Sequence, residues 1–177
     1  MIKLHDKHFE PMLKNELIET EIQRMATQIS QDYAGKTPLF IAILNGSFMF
    51  AAQLMKSLTI PAEITFLRVS SYQATSSTGK VVELLGLQES VENREVIVLE
   101  DIIDTGLTME KIKEQLLAKN PSSFALASLF HKPEALKTPI EIDYLGFKIE
   151  NKFVVGYGLD YDGLGRNLSD LYVLKEG

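Results

Sequence analysis

Two hydrophobic patterns alternate along the chain. Runs of consecutive apolar residues, such as 39–44 and 96–99, are typical of strands buried on both faces of a parallel sheet. Between such runs, apolar residues recur every three or four positions, which predicts helices that pack on the sheet. The predicted strands are 39–44, 63–69, 81–87, 96–99, 124–130, 140–147 and 171–174, and the predicted helices are 17–33, 48–58 and 107–119.

This alternation predicts a single α/β domain, because no repeat, low-complexity tract or linker divides the chain. Residues 2–12 mix short apolar and polar stretches and predict no element. Residues 70–80 are rich in small hydroxyl side chains and lose all periodicity, which indicates a loop.

The strand at 96–99 ends in acids and a small polar turn. The segment contains, in order, Glu100, Asp101, Asp104, Thr105, Gly106, Leu107 and Thr108. The glycine, the threonine hydroxyls and the free amides of the following helix favour a phosphate. Two adjacent carboxylates instead suit a vicinal diol or a hydrated Mg²⁺. Together they indicate a ribose 5-phosphate at the carboxyl end of a strand.

The segment V-I-V-L-E-D-I-I-D-T-G-L-T-M, residues 96–109, resembles the phosphoribosyl-pyrophosphate (PRPP) signature of the type I phosphoribosyltransferases. The form E-D-I-I-D-T-G-x-T is similar to the hypoxanthine-guanine phosphoribosyltransferases in particular. The resemblance implies one domain over residues 1–177 with a mostly parallel, twisted sheet flanked by helices. It also implies a small hood, formed by the N-terminal segment with its helix and by the C-terminal strands.

The activity that the resemblance implies is purine salvage. In this reaction, which depends on Mg²⁺, 5-phosphoribosyl passes from PRPP to N9 of hypoxanthine or guanine, giving IMP or GMP and pyrophosphate. Asp104 would then move a proton at purine N7. Glu100 and Asp101 would hold the ribose hydroxyls and the metal. The 5′-phosphate would be bound by Thr105, Gly106, Leu107 and Thr108.

Two further segments gain a role from the resemblance. After the strand at 39–44, Asn45 and Gly46 open a turn that, from the residues alone, is equally a structural connection or an anion nest. The family's pyrophosphate loop, with a non-proline cis peptide, matches it, although Asn45 stands where many relatives carry lysine. Ser71 and Tyr72 match a loop that closes over the active site as a lid.

The C-terminal half carries the implied base site. S-L-F-H-K places Lys132 where the family donates a hydrogen bond to the purine 6-oxygen. The stretch K-F-V-V-G-Y-G-L-D-Y matches the segment in which Phe153 stacks on the purine and the backbone of Val154 reads the base edge. By the same resemblance Asp160 supports the Mg²⁺ and Arg166 reaches the pyrophosphate.

Composition restricts the partners. With 18 basic and 24 acidic residues the net charge is −6, which argues against a general nucleic-acid binder. There is no cysteine, hence no disulfide and no thiol nucleophile. The chain lacks an apolar run of transmembrane length and a secretory signal, so we expect a cytoplasmic protein without membrane contact. The resemblance implies a homodimer or homotetramer that binds PRPP, a 6-oxopurine, nucleoside monophosphate and pyrophosphate.

Two alternatives remain open. One is a regulatory protein that keeps the fold and uses PRPP or a nucleotide as an effector for nucleic-acid binding; the acidity and the lack of a basic stripe count against it. The other is a phosphoribosyltransferase for xanthine, adenine or a pyrimidine. The presence of both Asp104 and Lys132 favours an enzyme. The sequence does not place the backbone carbonyls that choose among hypoxanthine, guanine and xanthine.

Overall fold

The structure is a computed structural model that describes residues 1–73, 80–85 and 87–175, with the backbone alone described at 70–73 and 80–85. In order, the chain forms β1 (Ile2–Leu4), β2 (Lys7–Leu13), α1 (Asn15–Asp32), β3 (Leu39–Leu44), α2 (Phe48–Ser57), β4 (Glu63–Gln73), β5 (Lys80–Leu85), β6 (Glu95–Ile103), α3 (Leu107–Leu117), β7 (Ser123–His131), β8 (Tyr144–Lys148), β9 (Val154–Val155) and β10 (Leu171–Leu174).

The main sheet has six strands in the order β5-β4-β3-β6-β7-β8. Five of them run parallel, and β5 returns antiparallel to β4 as a hairpin. The predicted parallel sheet flanked by helices is confirmed. Among the described residues, none of the helices combines the length and the apolar character that crossing a bilayer requires.

The central strands are apolar on both faces because helices cover both. Phe40 and Ala42 of β3 belong to the core beneath α1 and α2, whereas the alternate residues Leu39 and Ile41 belong to the core beneath α3. This alternation follows from the two-residue period of a strand. It explains why the sequence shows unbroken apolar runs at these strands rather than alternating ones.

A smaller four-stranded sheet, in the order β1-β2-β10-β9, joins the two ends of the chain. The sequence predicted no element for residues 2–12, yet they form β1 and β2. In β2 only Phe9 is fully buried, so the strand carries little of the apolar alternation that would reveal it. The N-terminal helix α1, expected to belong to the hood, packs instead against α2 and β8 of the main body.

Three strand boundaries differ most from the predicted ones. Strand β6 continues to Ile103, so Glu100 and Asp101 lie inside the strand rather than after its end, because the ladder with β7 goes on past the point where these acids interrupt the apolar run. Strand β4 continues to Gln73 and pairs with β5 from Lys80 onward, so the ladder enters the stretch that was predicted as a loop. Main-chain pairing in a hairpin does not require alternating apolar residues. The hydrophobic pattern therefore did not predict this part of the ladder. Strand β8 begins at Tyr144 rather than at 140, because Ile140 and Ile142 pack as irregular chain against the core beneath α3.

Candidate active site

Three parallel strands bring part of the predicted site to one edge of the main sheet. Strands β3, β6 and β7 are neighbours, and their carboxyl ends lead into the segments that hold Asn45, Asp104 and Lys132. This is the edge at which open α/β sheets bind ligands. Two pockets open here, and Glu100 and Thr108 line both of them.

The turn before α3 is shaped for an anion. Gly106 has φ +79°, and its carbonyl oxygen accepts the first helical hydrogen bond, from Glu110 N at 2.9 Å. A Cβ on Gly106 would lie 2.9 Å from Thr138 O, so a side chain is excluded by space as well as by conformation. The carbonyl oxygen of Thr105 accepts a hydrogen bond from Lys137 N at 3.0 Å. The free amides of the first turn of α3 are thereby held at the pocket that Asp104, Thr105, Gly106 and Thr108 line, and Leu107 is exposed beside them.

The two adjacent acids are buried at the same place. The Oε2 atom of Glu100 is buried and has no hydrogen-bond partner among the described residues. Burial, and then the charge of Asp101, raise the pKa of Glu100 well above its usual range. Burial also raises the pKa of Asp101 to about 6, against the opposing effect of a hydrogen bond from Ile102 N at 2.9 Å and of the Arg166 charge. A buried carboxyl without a donor is costly, so this pair is suited to a ligand that brings hydroxyl groups or positive charge.

Gly46 is enclosed by backbone and carboxylate. The Leu44–Asn45 peptide is cis, as the resemblance implied. A Cβ on Gly46 would overlap the carboxylate of Asp101, and a Cβ on Gly158 would overlap the carbonyl oxygen of Gly46. The Gly46 loop therefore packs so closely against Asp101 and against the segment at Gly158 that only glycine fits at positions 46 and 158.

Arg166 faces this loop from the C-terminal segment. Its Nη2 atom lies 2.7 Å from Oδ1 of Asp160, and its Nη1 atom donates to Gly158 O at 2.8 Å. Arg166, Asn45, Gly46 and Asp101 line the second of the two pockets at this edge, next to the one at the Gly106 turn. The predicted pyrophosphate residues are thus brought together, with the guanidinium oriented by two partners.

Lys132 and Asp104 form a close pair. The Nζ atom of Lys132 lies 3.6 Å from Oδ2 of Asp104, and the lysine side chain is only 9% exposed while that of Asp104 is 50% exposed. The backbone of Lys132 is fixed by its N–H bond to Ile103 O at 2.9 Å. A buried ammonium next to a half-exposed carboxylate provides a donor and a proton acceptor side by side.

Phe153 and Val154 lie at the free edge of the small sheet. Phe153 is 45% exposed, and its carbonyl oxygen accepts a hydrogen bond from Leu174 N at 2.8 Å. Val154 is opposite Val173, one residue further along the same ladder. Because bonded and non-bonded pairs alternate in antiparallel ladders, the N–H and C=O of Val154 point away from β10. They point toward the edge of the small sheet that no other described strand occupies, and the residue as a whole is 5% exposed.

The remaining predicted residues are only partly described. The backbones of Ser71 and Tyr72 lie in β4, opposite Val82 and Val81, whereas their side chains and residues 74–79 lie outside the described residues. The lid therefore stays a prediction.

The predicted metal residues do not assemble a complete site by themselves. Within the described ranges, no group of three or more side chains of the metal-binding types converges. Both carboxylate oxygens of Asp160 are engaged, Oδ1 by Arg166 and Oδ2 by Gly163 N at 2.8 Å. The unpartnered Oε2 of Glu100, beside Asp101, fits a hydrated cation whose other ligands come from the substrate.

Sequence reasoning missed two features. One is the contact of Gly158 with Gly46, for which the density of glycines in residues 156–165 was the available signal. Phe9, whose ring lies 6.3 Å from that of Phe153, is the other. It sits in a strand without a periodic pattern, so no sequence signal pointed to it.

Comparison with known proteins agrees with this geometry. The family model described as a phosphoribosyl transferase domain matches residues 9–162. A hypoxanthine-guanine phosphoribosyltransferase of Streptococcus mutans is 42% identical over 93% of this chain and 92% of its own length. One from Staphylococcus aureus is 40% identical over 97% of both chains.

Solved structures show the same likeness. A hypoxanthine-guanine phosphoribosyltransferase of Bacillus anthracis superposes with a TM-score of 0.88 at 34% identity, covering 94% of this chain and 98% of that one. A hypoxanthine phosphoribosyltransferase of Staphylococcus aureus gives 0.87 at 40% identity, covering 94% and 91%. The predicted family and fold are confirmed: the chain belongs to the phosphoribosyltransferases, in the group of the hypoxanthine-guanine phosphoribosyltransferases.

Proposed function

We propose that the protein transfers 5-phosphoribosyl from PRPP to N9 of hypoxanthine or guanine, giving IMP or GMP and pyrophosphate. The observation that carries this proposal is the pair of Lys132 and Asp104, 3.6 Å apart, beside a turn built for phosphate. A ribose held by that turn at its 5′-phosphate would have its base next to a cation and a carboxylate. Relatives that are about 40% identical carry the name of this activity.

Lys132 selects the base in this proposal. Its ammonium has donors only, so it can bind the 6-oxygen of a 6-oxopurine but not the 6-amino group of adenine. Burial makes the choice sharper, because a buried ammonium whose carboxylate partner lies 3.6 Å away is stabilised by a second acceptor, which the 6-amino group of adenine does not offer. Phe153 offers a half-exposed ring for stacking, and the free N–H and C=O of Val154 can meet the opposite edge of the base.

The chemical step moves one proton and exchanges one bond. The N9 lone pair forms a bond to the sugar C1′ as the bond from C1′ to the pyrophosphate oxygen breaks, and the proton on purine N7 passes to the carboxylate of Asp104. The reverse reaction returns that proton. The half-exposure of Asp104 leaves its carboxylate accessible for this exchange.

Residues of the pocket that Asn45, Gly46 and Arg166 line would stabilise the negative charge on the leaving pyrophosphate. Arg166 would bind the departing pyrophosphate, with the backbone of the Gly46 loop placed opposite it. Glu100 and Asp101 would accept hydrogen bonds from the ribose diol and hold a Mg²⁺ together with the substrate. That ion, when bound, supplies positive charge against the pyrophosphate. Asp160 orients Arg166 in this structure, and its role toward the metal stays a prediction.

The partners and surroundings of the enzyme follow from the same proposal. We expect small-molecule substrates, no nucleic acid, a cytoplasmic location and a homodimer or homotetramer. Light scattering after size-exclusion chromatography would determine the oligomeric state.

The decisive experiment is a spectrophotometric assay of the purified protein with PRPP, Mg²⁺ and, in turn, hypoxanthine, guanine, xanthine and adenine. We expect turnover with hypoxanthine, guanine or both and little with adenine. Turnover only with adenine would contradict the role of Lys132. Binding of PRPP without turnover of any base would favour the regulatory alternative.

A further inference from the structure

Phe153 stands against two other aromatic rings. The ring of Tyr161 lies 5.8 Å away at an interplanar angle of 82°, and that of the fully buried Phe9 lies 6.3 Å away. Phe9 and Tyr161 are themselves 6.0 Å apart, so the three rings form a closed triangle. The contact between Phe153 and Tyr161 is edge-to-face and the two contacts of Phe9 are tilted, and such aromatic pairs restrict ring orientation. One side of Phe153 is thus packed, and the exposed remainder is left for a ligand.

Tyr161 is held in turn by the N-terminal hairpin. Leu4 is opposite Lys7 in the ladder, so His5 and Asp6 form a two-residue turn between β1 and β2. The Oη atom of Tyr161 donates to Oδ1 of Asp6 at 2.8 Å, and this bond lowers the pKa of Asp6 and raises that of Tyr161. The His5 ring meets the Tyr161 ring edge-on at 5.7 Å, and its Nε2 lies 3.1 Å from Asp162 O.

The same C-terminal turn also supports the pyrophosphate pocket. Tyr161 N donates to Leu164 O at 2.8 Å, which closes the turn on which Asp160 and Gly163 are hydrogen-bonded. Asp160 holds Arg166. The tip of the N-terminal hairpin therefore contacts a segment that faces both the base platform and the pyrophosphate pocket.

We propose that Tyr161, anchored by Asp6, is a positioning residue for the Phe153 ring, so that the N-terminal hairpin is part of the base-binding site. This inference rests on the proposed function, because it takes Phe153 as the stacking platform. Tyr161 touches neither the base nor the reacting atoms in this scheme. It acts by keeping Phe153 in the orientation that the base requires.

Losing the anchor should weaken base binding selectively. Tyr161→Phe keeps the ring and removes only the hydroxyl, and Asp6→Ala removes the acceptor together with its charge. We expect each to raise the KM for hypoxanthine and the Kd for GMP by about 2- to 10-fold, the range that corresponds to one hydrogen bond. The KM for PRPP should change less than about twofold, because the turn at Gly106 carries no altered contact and both variants keep the backbone bond from Tyr161 N to Leu164 O, which closes the turn beside Arg166.

Three further variants separate positioning from general destabilisation. In the double variant the loss should equal that of either single variant, because both changes break the same bond. Asp6→Asn retains an oxygen that accepts the bond and should restore base affinity. Tyr144→Phe is the control: Tyr144 Oη donates to Asp32 Oδ2 at 2.9 Å, a part-buried Tyr–Asp bond between β8 and the end of α1. It should lower the melting temperature and leave the KM for hypoxanthine unchanged.

The outcomes distinguish this inference from the proposed function. Phe153→Ala serves as the reference, and a rise in its KM for hypoxanthine would support the platform. If Phe153→Ala raises that KM and Tyr161→Phe does not, the positioning role is wrong and the proposed function stands. Additive losses in the double variant also overturn the positioning role. If the wild type neither turns over 6-oxopurines nor binds GMP, both fall.

Discussion

The two halves of the candidate site are built in different ways. The half proposed for ribose phosphate comes from one contiguous segment, since Glu100, Asp101, Asp104 and the turn at Gly106 follow each other on β6 and into α3. The half proposed for the base comes from distant parts of the chain: Lys132 after β7, Phe153 before β9, and the hairpin that supports Phe153 from the N-terminus.

This difference has a physical cause. A turn that binds phosphate needs only a strand end, a residue with positive φ and a helix start, which are local properties. A platform for a planar base needs a ring held from several sides, and such packing is assembled by long-range contacts. Single substitutions in the ribose-phosphate half should therefore cause large losses of activity. Single substitutions in the base half should cause smaller losses, because several residues share the support of the base. Single substitutions in each half test this contrast.

The largest effect is expected at the proton carrier. Replacing Asp104 by Asn keeps the shape and removes the base, so turnover should fall by roughly 10²–10⁴-fold. PRPP binding, measured by calorimetry, should be largely kept. Glu134→Gln removes an exposed carboxylate near Lys132 in sequence and should have little effect. Near-normal turnover of Asp104→Asn would remove Asp104 from the proposed role.

Base selection should be the next most sensitive property. Lys132→Gln replaces a charged donor with a neutral amide that can also accept, so the preference for hypoxanthine over adenine should fall by about 10- to 100-fold, as for one hydrogen bond to a charged group. The ratio of kcat/KM for the two bases measures this. Lys119→Gln, at an exposed position just after the C-terminal end of α3, is the matched control. An unchanged preference would contradict the role of Lys132.

At Gly46, steric overlap should lower both the stability of the protein and its affinity for PRPP. In Gly46→Ala the new Cβ meets the Asp101 carboxylate, so we expect a loss of about 1–3 kcal/mol in unfolding free energy together with a higher KM for PRPP. Gly35→Ala is the control, since Gly35 has positive φ and open space around it. It should lose about 1–2 kcal/mol from backbone strain and leave the KM for PRPP unchanged. An unchanged KM for PRPP in Gly46→Ala would contradict the close packing of the Gly46 loop against Asp101.

The smallest effect concerns the connection between the chain ends. Asp170 binds Asn15 N and Lys14 Nζ, both at 2.9 Å, and so caps the start of α1 from the C-terminal segment. Asp170→Ala should cost on the order of 1 kcal/mol, as for other lost caps, and lower the melting temperature by about 2–4 °C.

The pH dependence of that loss has a definite sign. The hydrogen bond from Lys14, followed by that from the Asn15 amide, lowers the pKa of Asp170 in the folded protein. Its stabilisation is therefore complete above the pKa of an unfolded aspartate, about 3.9, and is lost as the pH falls through the lower folded value. The difference in melting temperature between wild type and Asp170→Ala should be constant near neutral pH and shrink in acid. A difference that grows in acid would contradict this account.

The sequence revealed most of the fold because most elements carry local signals. The apolar runs at β3, β6 and β7 and the helical period of α1 each predicted an element that the structure contains. The small sheet was only partly visible, since β1 and β2 bury little beyond Phe9 and β9 has two residues. Its stability depends on pairing between chain ends, and that pairing leaves no periodic trace in either segment.

The candidate site follows the same rule. The turn at Gly106 could be derived from residue chemistry, whereas Lys132 and Phe153 became candidates only through the family resemblance. Nothing in the sequence placed Lys132 within 3.6 Å of Asp104, because that distance depends on the register of β6 and β7. The support of Phe153 by Tyr161 depends on a hairpin more than 140 residues away in the chain.

The narrow space around Gly46 limits how this enzyme could be redesigned. Since its α-carbon is closed off by Asp101 on one side, and its carbonyl oxygen by Gly158 on the other, no side chain can be added there to adjust affinity for a leaving group. The neighbouring Asn45 already carries a side chain and lines the pocket, so new charge would have to enter at that position. A variant library aimed at altered phosphoryl substrates should vary residue 45 and keep 46 and 158 as glycine.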